Sequence, residues 1–227
     1  MSVELYRRAR RAEAKAARAP DRRRLRLEFF RQALAEGLDS LKVRHAEGAS
    51  GQESVRTYAR LMDDVILSLT RLIAADAAAD GLPATPLVVM ALGGYGRGEL
   101  NPLSDIDLIV IYEGEITPYV QRSMQELLYS LWDLGLHIGH SLRSLEDCVA
   151  MARTDFPSRT SMQEARFLAG DRRLFAKFQR VLRENVFRRD FGQFLETTLG
   201  ERDQRYRKHG ASPYIGEPNI KESAGGL

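Results

Sequence analysis

Asp105 and Asp107, two positions apart, open the run DIDLIVIY, and they fall at the end of the string GGYGRGELNPLSDIDL that covers residues 93–108. In an extended segment alternate side chains leave the backbone on one face, so both carboxylates are expected to project together while Ile106 turns to the core. Two hard oxygen donors held that close suit a divalent ion such as magnesium or manganese, which completes its shell with water and substrate phosphate oxygens. Gly93 and Gly94 follow an apolar run and carry no side chain to block an approaching phosphate, so their amides can donate to it. A helix beginning near Gly96 would bring its positive end to the same place. With a nucleoside triphosphate bound, such a site would polarise the α-phosphate, orient an in-line attack and neutralise departing pyrophosphate. A Gly-Gly or an Asp-x-Asp taken singly is common in turns and surface strands. Together they carry more weight, because carboxylates in an otherwise apolar strand are costly to desolvate unless a cation meets them.

Two strands must bracket this string. Residues 87–92 (LVVMAL) form a short apolar run enriched in β-branched types, and residues 105–112 alternate, with Ile106, Leu108 and Val110 on one face and Asp105, Asp107, Ile109 and Ile111 on the other. Thr117-Pro118 reads as an N-cap and first position of a helix that carries Val120, Met124, Leu127, Leu128 and Leu131 and stops at Gly135. A third strand is expected over residues 136–142, and Ser144 with Asp147 three positions on resembles a capping box. Ahead of the first strand, Val55, Tyr58, Leu61, Met62, Val65, Ile66, Leu69, Leu72 and Ile73 mark the clearest helical stripe in the chain, closed by Gly81 and Pro83. Residues 3–18 suit a surface helix with little core, Pro20 interrupts, 21–42 resume the helical pattern, and 46–54 read as a loop. Past the third strand, helices are expected over 145–153, 158–169, 171–187 and 190–208. The order is a small α/β or α+β sheet layer with an all-helical flank on each side.

The composition sets bounds. In 227 residues, 44% hydrophobic and 29% charged, no run is long or apolar enough to span a membrane, and the charged N-terminus carries no secretory signal, so a cytoplasmic protein is expected. The single cysteine, Cys148, excludes an internal disulfide and reads as a buried helical thiol; no Cys/His spacing suggests zinc. Net charge is +3, too small to imply nucleic acid, although residues 1–32 concentrate Arg and Lys in a run expected to be a solvated helix face.

An apolar strand, Gly-Gly, a spacer and Asp-x-Asp together resemble the polymerase-beta-like nucleotidyltransferases. The full string is similar to the N-terminal catalytic domain of the bacterial protein-PII uridylyltransferases, the bifunctional uridylyltransferase and uridylyl-removing enzymes of nitrogen regulation. Two further segments agree: LWDLGLHIGHSLRSLEDC at residues 131–148 and EPNIKESAGGL at residues 217–227. The resemblance implies an α+β fold with a small mixed sheet and helical N- and C-terminal flanks: a helical lead-in over 1–80, a catalytic core over 81–153 and a helical extension over 154–227. It implies that Asp105 and Asp107 bind catalytic Mg2+ or Mn2+, that Gly93 and Gly94 hold nucleotide phosphates, and that Arg97 and Ser104 line the nucleotide site. The reaction implied is transfer of UMP from UTP to a tyrosine of a PII signalling protein, with release of pyrophosphate. A related adenylyltransferase of the glutamine-synthetase-modifying type, or a catalytically silent module on the same fold, are the competing readings. Many members of the superfamily use a third carboxylate from a later strand; here that strand offers His137 and His140 but no acid, with Arg143 as a candidate phosphate contact. The hydrolytic HD and ligand-sensing ACT domains that follow in the family have no counterpart in these residues, so a truncated chain is expected.

Overall fold

A computed structural model describes residues 2–15, 19–188 and 191–209; the matching segment at 217–227 lies outside them. The described chain falls into two compact units, residues 1–179 and 180–227.

In the first unit, three helices precede the sheet: α1 (Ser2–Glu13), α2 (Ala19–Ala46) and α3 (Gly51–Ala79). Pro20 falls in the first turn of α2, where a missing N–H costs nothing. α3 begins at Gly51, inside the stretch expected to be loop, because the Ser50 side chain accepts from the Glu53 amide (3.2 Å) and caps it. Its stripe is buried as expected, with Met62, Val65, Ile66, Leu69 and Leu72 fully inaccessible.

α1 departs from expectation. Ala9 and Glu13 are buried, and Arg26 of α2 joins them, bonding Glu13 through Nε and Asp76 of α3 through Nη2 (2.5 Å). One arginine of the basic run is therefore a three-helix tie and not part of a solvated face. Burial pulls the Arg26 pKa down, but its two carboxylate partners more than restore it, so the guanidinium stays charged.

A four-stranded mixed sheet follows, with β1 (Leu87–Ala91), β2 (Ile106–Tyr112), β3 (Ile138–Ser144) and β4 (Arg166–Gly170) in the order β3-β2-β1-β4. β1 runs antiparallel to both β2 and β4, whereas β2 and β3 are parallel, joined through α5 (Pro118–Asp133). Thr117 caps α5 (3.3 Å to the Val120 amide), and Ser144 and Asp147 close the expected capping box on α6 (Leu145–Thr154).

Residues expected as one helix over 158–169 divide instead. α7 (Phe156–Gln163) ends at Glu164, and β4 pairs with β1 from Ala91↔Arg166 to Val88↔Gly170. Gly170 is required there: its φ is +98°, and a Cβ would lie 2.2 Å from the Leu87 carbonyl. α8 (Arg172–Leu182) then leads into a π-helical turn (Arg183–Phe187), and α9 (Phe191–His209) completes the second unit.

The alternation read from the sequence sorts the core. Ile106, Leu108, Val110 and Tyr112 pack with Val89, α3 and α5 in the main cluster. Ile109 and Ile111 lie on the other face, where Leu145, Cys148, Ala152 and Met162 of α6 and α7 are also buried. Among the described residues no helix is long and apolar enough to cross a membrane.

Replacing Arg26 by Ala would leave the Glu13 carboxylate buried without its partner. Urea unfolding is expected to show a loss of about 3 kcal/mol, and an unchanged midpoint would contradict the tie.

Candidate active site

β1 ends at Ala91, and the chain turns at once into a single helical turn, α4 (Gly93–Gly96), with Leu92 as its N-cap. The helix expected near Gly96 thus starts three residues earlier. Gly93 sits at φ +55°, where a side chain is disfavoured, and the first amides of such a turn have no intrahelical partner. The Leu92 amide donates to the Asp107 carbonyl (3.0 Å), which pins the start of the turn beside the second aspartate.

Four residues cannot sustain a helix by themselves. This one is held from behind by Arg166, the first residue of β4. Its guanidinium makes two bonds to Asp63 of α3 (2.8 and 3.0 Å), donates to the carbonyls of Tyr95 (3.0 Å) and Gly96 (3.2 Å), and lies 5.3 Å from the centre of the buried Tyr95 ring. Burial pulls the Arg166 pKa down and Asp63 more than restores it, which keeps the cation. Burial first, then the charge on Asp63, pushes the Tyr95 phenol well above its ordinary pKa, so this tyrosine stays neutral. Gly96 presses on the end of α7: a Cβ there would lie 2.4 Å from the Glu164 carbonyl and 3.1 Å from that of Ala91.

Asp107 is the one exposed residue in β2. Its carboxylate lies between two glycines. A Cβ on Gly93 would approach it at 3.7 Å, and a Cβ on Gly139, its register partner in β3, would come within 2.3 Å of Oδ1. The missing side chains of Gly93 and Gly139 are what give this carboxylate its place. Beside it opens a cleft of about 360 Å³, walled by Asp107, Ser141 and Arg143 on the sheet and by Ser158, Ser161 and Met162 of α7.

Asp105 and Ser104 stand in the exposed loop before β2, one and two residues short of the strand, and do not line the cleft. The Ser104 amide closes a turn on the Asn101 carbonyl (3.0 Å), and the Ile106 amide ties the end of the loop to the His137 carbonyl (2.9 Å). Arg97 follows the turn, but its Nη1 is engaged by Glu164 (2.7 Å). His140 pairs with Leu108, on the face opposite Asp107, and its ring meets Trp132 edge-on at 5.6 Å. Its ring is thus held against Trp132, while the residue still borders the cleft. Cys148 is buried in α6, and desolvation pushes its thiol up to about 12, so it has no nucleophilic role.

Among the described residues no group of three or more His, Cys, Asp and Glu is placed to hold a metal ion. Exposed oxygen donors beside two glycines, with open space in front, fit an ion that keeps water and substrate oxygens in its shell.

A strand runs into a glycine turn, and an aspartate of the neighbouring strand is set against that turn. Residues 82–167 match the family model described as nucleotidyltransferase domain. More narrowly, residues 193–227 match the family described as GlnD PII-uridylyltransferase. The chain is also similar to proteins named bifunctional uridylyltransferase/uridylyl-removing enzyme. That of Caulobacter vibrioides (strain NA1000 / CB15N) is 40% identical over 203 residues, covering 88% of this chain and 22% of the relative. That of Azospirillum brasilense is 40% identical over 200 residues (87% and 21%), and that of Phenylobacterium zucineum is 38% identical over 207 (90% and 22%). The chain thus spans about a fifth of the length of the curated relatives it matches.

Gly139→Ala puts a methyl group where the Asp107 carboxylate now sits, and only a side-chain terminus has to yield. The unfolding midpoint is expected to move little, while binding of Mn2+ with nucleotide weakens about tenfold or more, the scale on which metal sites respond when an orienting neighbour is lost. Gly96→Ala meets backbone instead and is expected to lower the melting temperature outright. If Gly139→Ala binds Mn2+-nucleotide like the wild type, the seating of Asp107 is wrong.

Proposed function

We propose that this chain is the metal-dependent catalytic part of a uridylyltransferase that moves UMP from UTP to a tyrosine hydroxyl of a PII signalling protein and releases pyrophosphate, in the cytoplasm. The observation that carries the reading is the meeting of the Gly93–Gly96 turn, the Asp107 carboxylate and Gly139 at the mouth of a polar cleft. The name of the relatives, bifunctional uridylyltransferase/uridylyl-removing enzyme, suggests the uridylyl group.

In this reading Gly93 and Gly94 present their amides to the triphosphate, as helical first-turn donors do. Asp107 and Asp105 hold Mg2+ or Mn2+, which when bound lends positive charge to the α-phosphate and to the departing pyrophosphate. Arg143 and Ser141, leaving β3 on the same face as Asp107, form a donor wall for phosphate oxygens, with Ser158 and Ser161 opposite. Arg97 and Ser104 border the nucleotide from the loop; Arg97 reaches it by exchanging its bond to Glu164 for one to phosphate. The acceptor phenol oxygen attacks the α-phosphorus, the bond from that phosphorus to the bridging oxygen of pyrophosphate breaks, and the phenolic proton is lost. Holding attacker and leaving group in line is the main contribution of a site like this one.

The carboxylates are the direct test. Asp105→Asn and Asp107→Asn are expected to fold with wild-type melting temperatures and to lose at least about a thousandfold in metal-dependent labelling of a PII protein from radiolabelled UTP. ATP, CTP and GTP are expected to label poorly beside UTP. Labelling that persists in the folded variants contradicts the metal assignment, and a preference for ATP contradicts the uridylyl assignment.

A further inference from the structure

A second cavity stands apart from the one beside Asp107. A pocket of about 570 Å³ lies near the opposite end of β1, where α3, the start of β1, the end of β4 and the first turn of α5 meet. Leu67, Leu87 and Phe167 make its apolar walls, and Thr85 and Tyr119 also line it. Two cations stand in the lining: Arg71 of α3, and Arg172, whose guanidinium carbon lies 4.3 Å over the centre of the Phe167 ring. Neither has a carboxylate partner among the described residues. The one acid in the lining, Asp171, already accepts from the amides of Arg173 (2.6 Å) and Leu174 (3.1 Å) as the cap of α8. Behind the pocket, Thr70 and Leu87 also line a cavity of about 10 Å³, where the buried Ser123 hydroxyl lacks a hydrogen-bond partner. That is room for about one water.

The volume is that of a small-molecule site, and apolar walls with a few convergent polar groups are the usual makeup of one. Arg71 and Arg172, set against the single acid Asp171, leave the lining with net positive charge, which selects for an anion. We propose that this pocket binds a small organic anion with an apolar body and a single carboxylate or phosphate, and that its occupancy is felt at the Gly93–Gly96 turn. The link is covalent and short. Leu67 lies one helical turn beyond Asp63, and Phe167 follows Arg166, so the two walls of the pocket are continuous with the two residues whose ion pair holds that turn. A ligand that changes the spacing of α3 and β4 changes the geometry of the Asp63–Arg166 bond.

The site stands or falls independently of nucleotidyl transfer. Benzoate, phenyl phosphate and neutral benzyl alcohol are titrated into the 15N-labelled chain and amide shifts are followed. The two anions are expected to give saturable shifts at residues 67–74, 84–87 and 167–172 and to bind at least about fivefold tighter than the alcohol; the tighter of the two identifies carboxylate or phosphate as the native group. Arg71→Ala and Arg172→Ala, both at exposed positions and checked by melting temperature, are each expected to weaken the anions about fivefold or more. The Gly94 and Gly96 amides are expected to shift in parallel with the pocket. Absence of saturable shifts there, equal binding of the alcohol, or anion binding unchanged in both variants overturns the site. Pocket shifts without a response at Gly94 and Gly96 overturn the coupling.

Discussion

One guanidinium holds the Gly93–Gly96 turn in place. Arg166 bonds both oxygens of Asp63, two carbonyls of the Gly93–Gly96 turn and, through its face, the ring of Tyr95. A turn this short has neither the length nor the side chains to keep its shape. Its carbonyl end is satisfied from within, and a planar five-donor group suits that task where an ammonium would not. This explains why β4 has to lie next to β1: the edge strand brings Arg166 behind the turn. It also explains why α3 must cross there, since a half-buried guanidinium without Asp63 would be an unpaired charge.

In front of the turn the governing constraint is room. Asp107 needs a solvated position within a sheet whose other β2 side chains are buried, and glycines at 93 and 139 leave that position open. The parallel pairing of β2 with β3 sets Gly139 opposite Asp107 and sends Ser141 and Arg143 along the same face into the cleft. Rigid backing behind the turn thus meets open space in front of Asp107.

The parts of this arrangement that were legible in the sequence are local. The glycine turn and the exposed Asp107 fall within one short string, so alternation and turn chemistry suffice to read them, and the same holds for the Thr117 and Ser144 caps; Asp105, expected beside Asp107 on the strand, lies instead in the loop before β2. What escaped depends on distant partners. Asp63 and Arg166 lie 103 residues apart, and nothing in either neighbourhood announces the other. β4 is five residues long, and RFLAG offers no period long enough to separate strand from helix. Arg26 reads as one more member of a basic run until Glu13 and Asp76 are seen to enclose it. Gly139 did leave a signal: a glycine inside a strand often marks a close approach by another group, and here that group is the Asp107 carboxylate.

The central claim is that metal and nucleotide meet at the Gly93–Gly96 turn and the Asp107 face. Paramagnetic broadening of backbone amides by Mn2+ in the presence of UTP tests it most directly, because broadening falls steeply with distance from the ion. The account predicts that the amides of Gly93, Gly94, Asp105, Asp107 and Gly139 disappear first while those of residues 67–74 stay sharp. Broadening centred elsewhere, or none at saturating UTP and Mn2+, would contradict it.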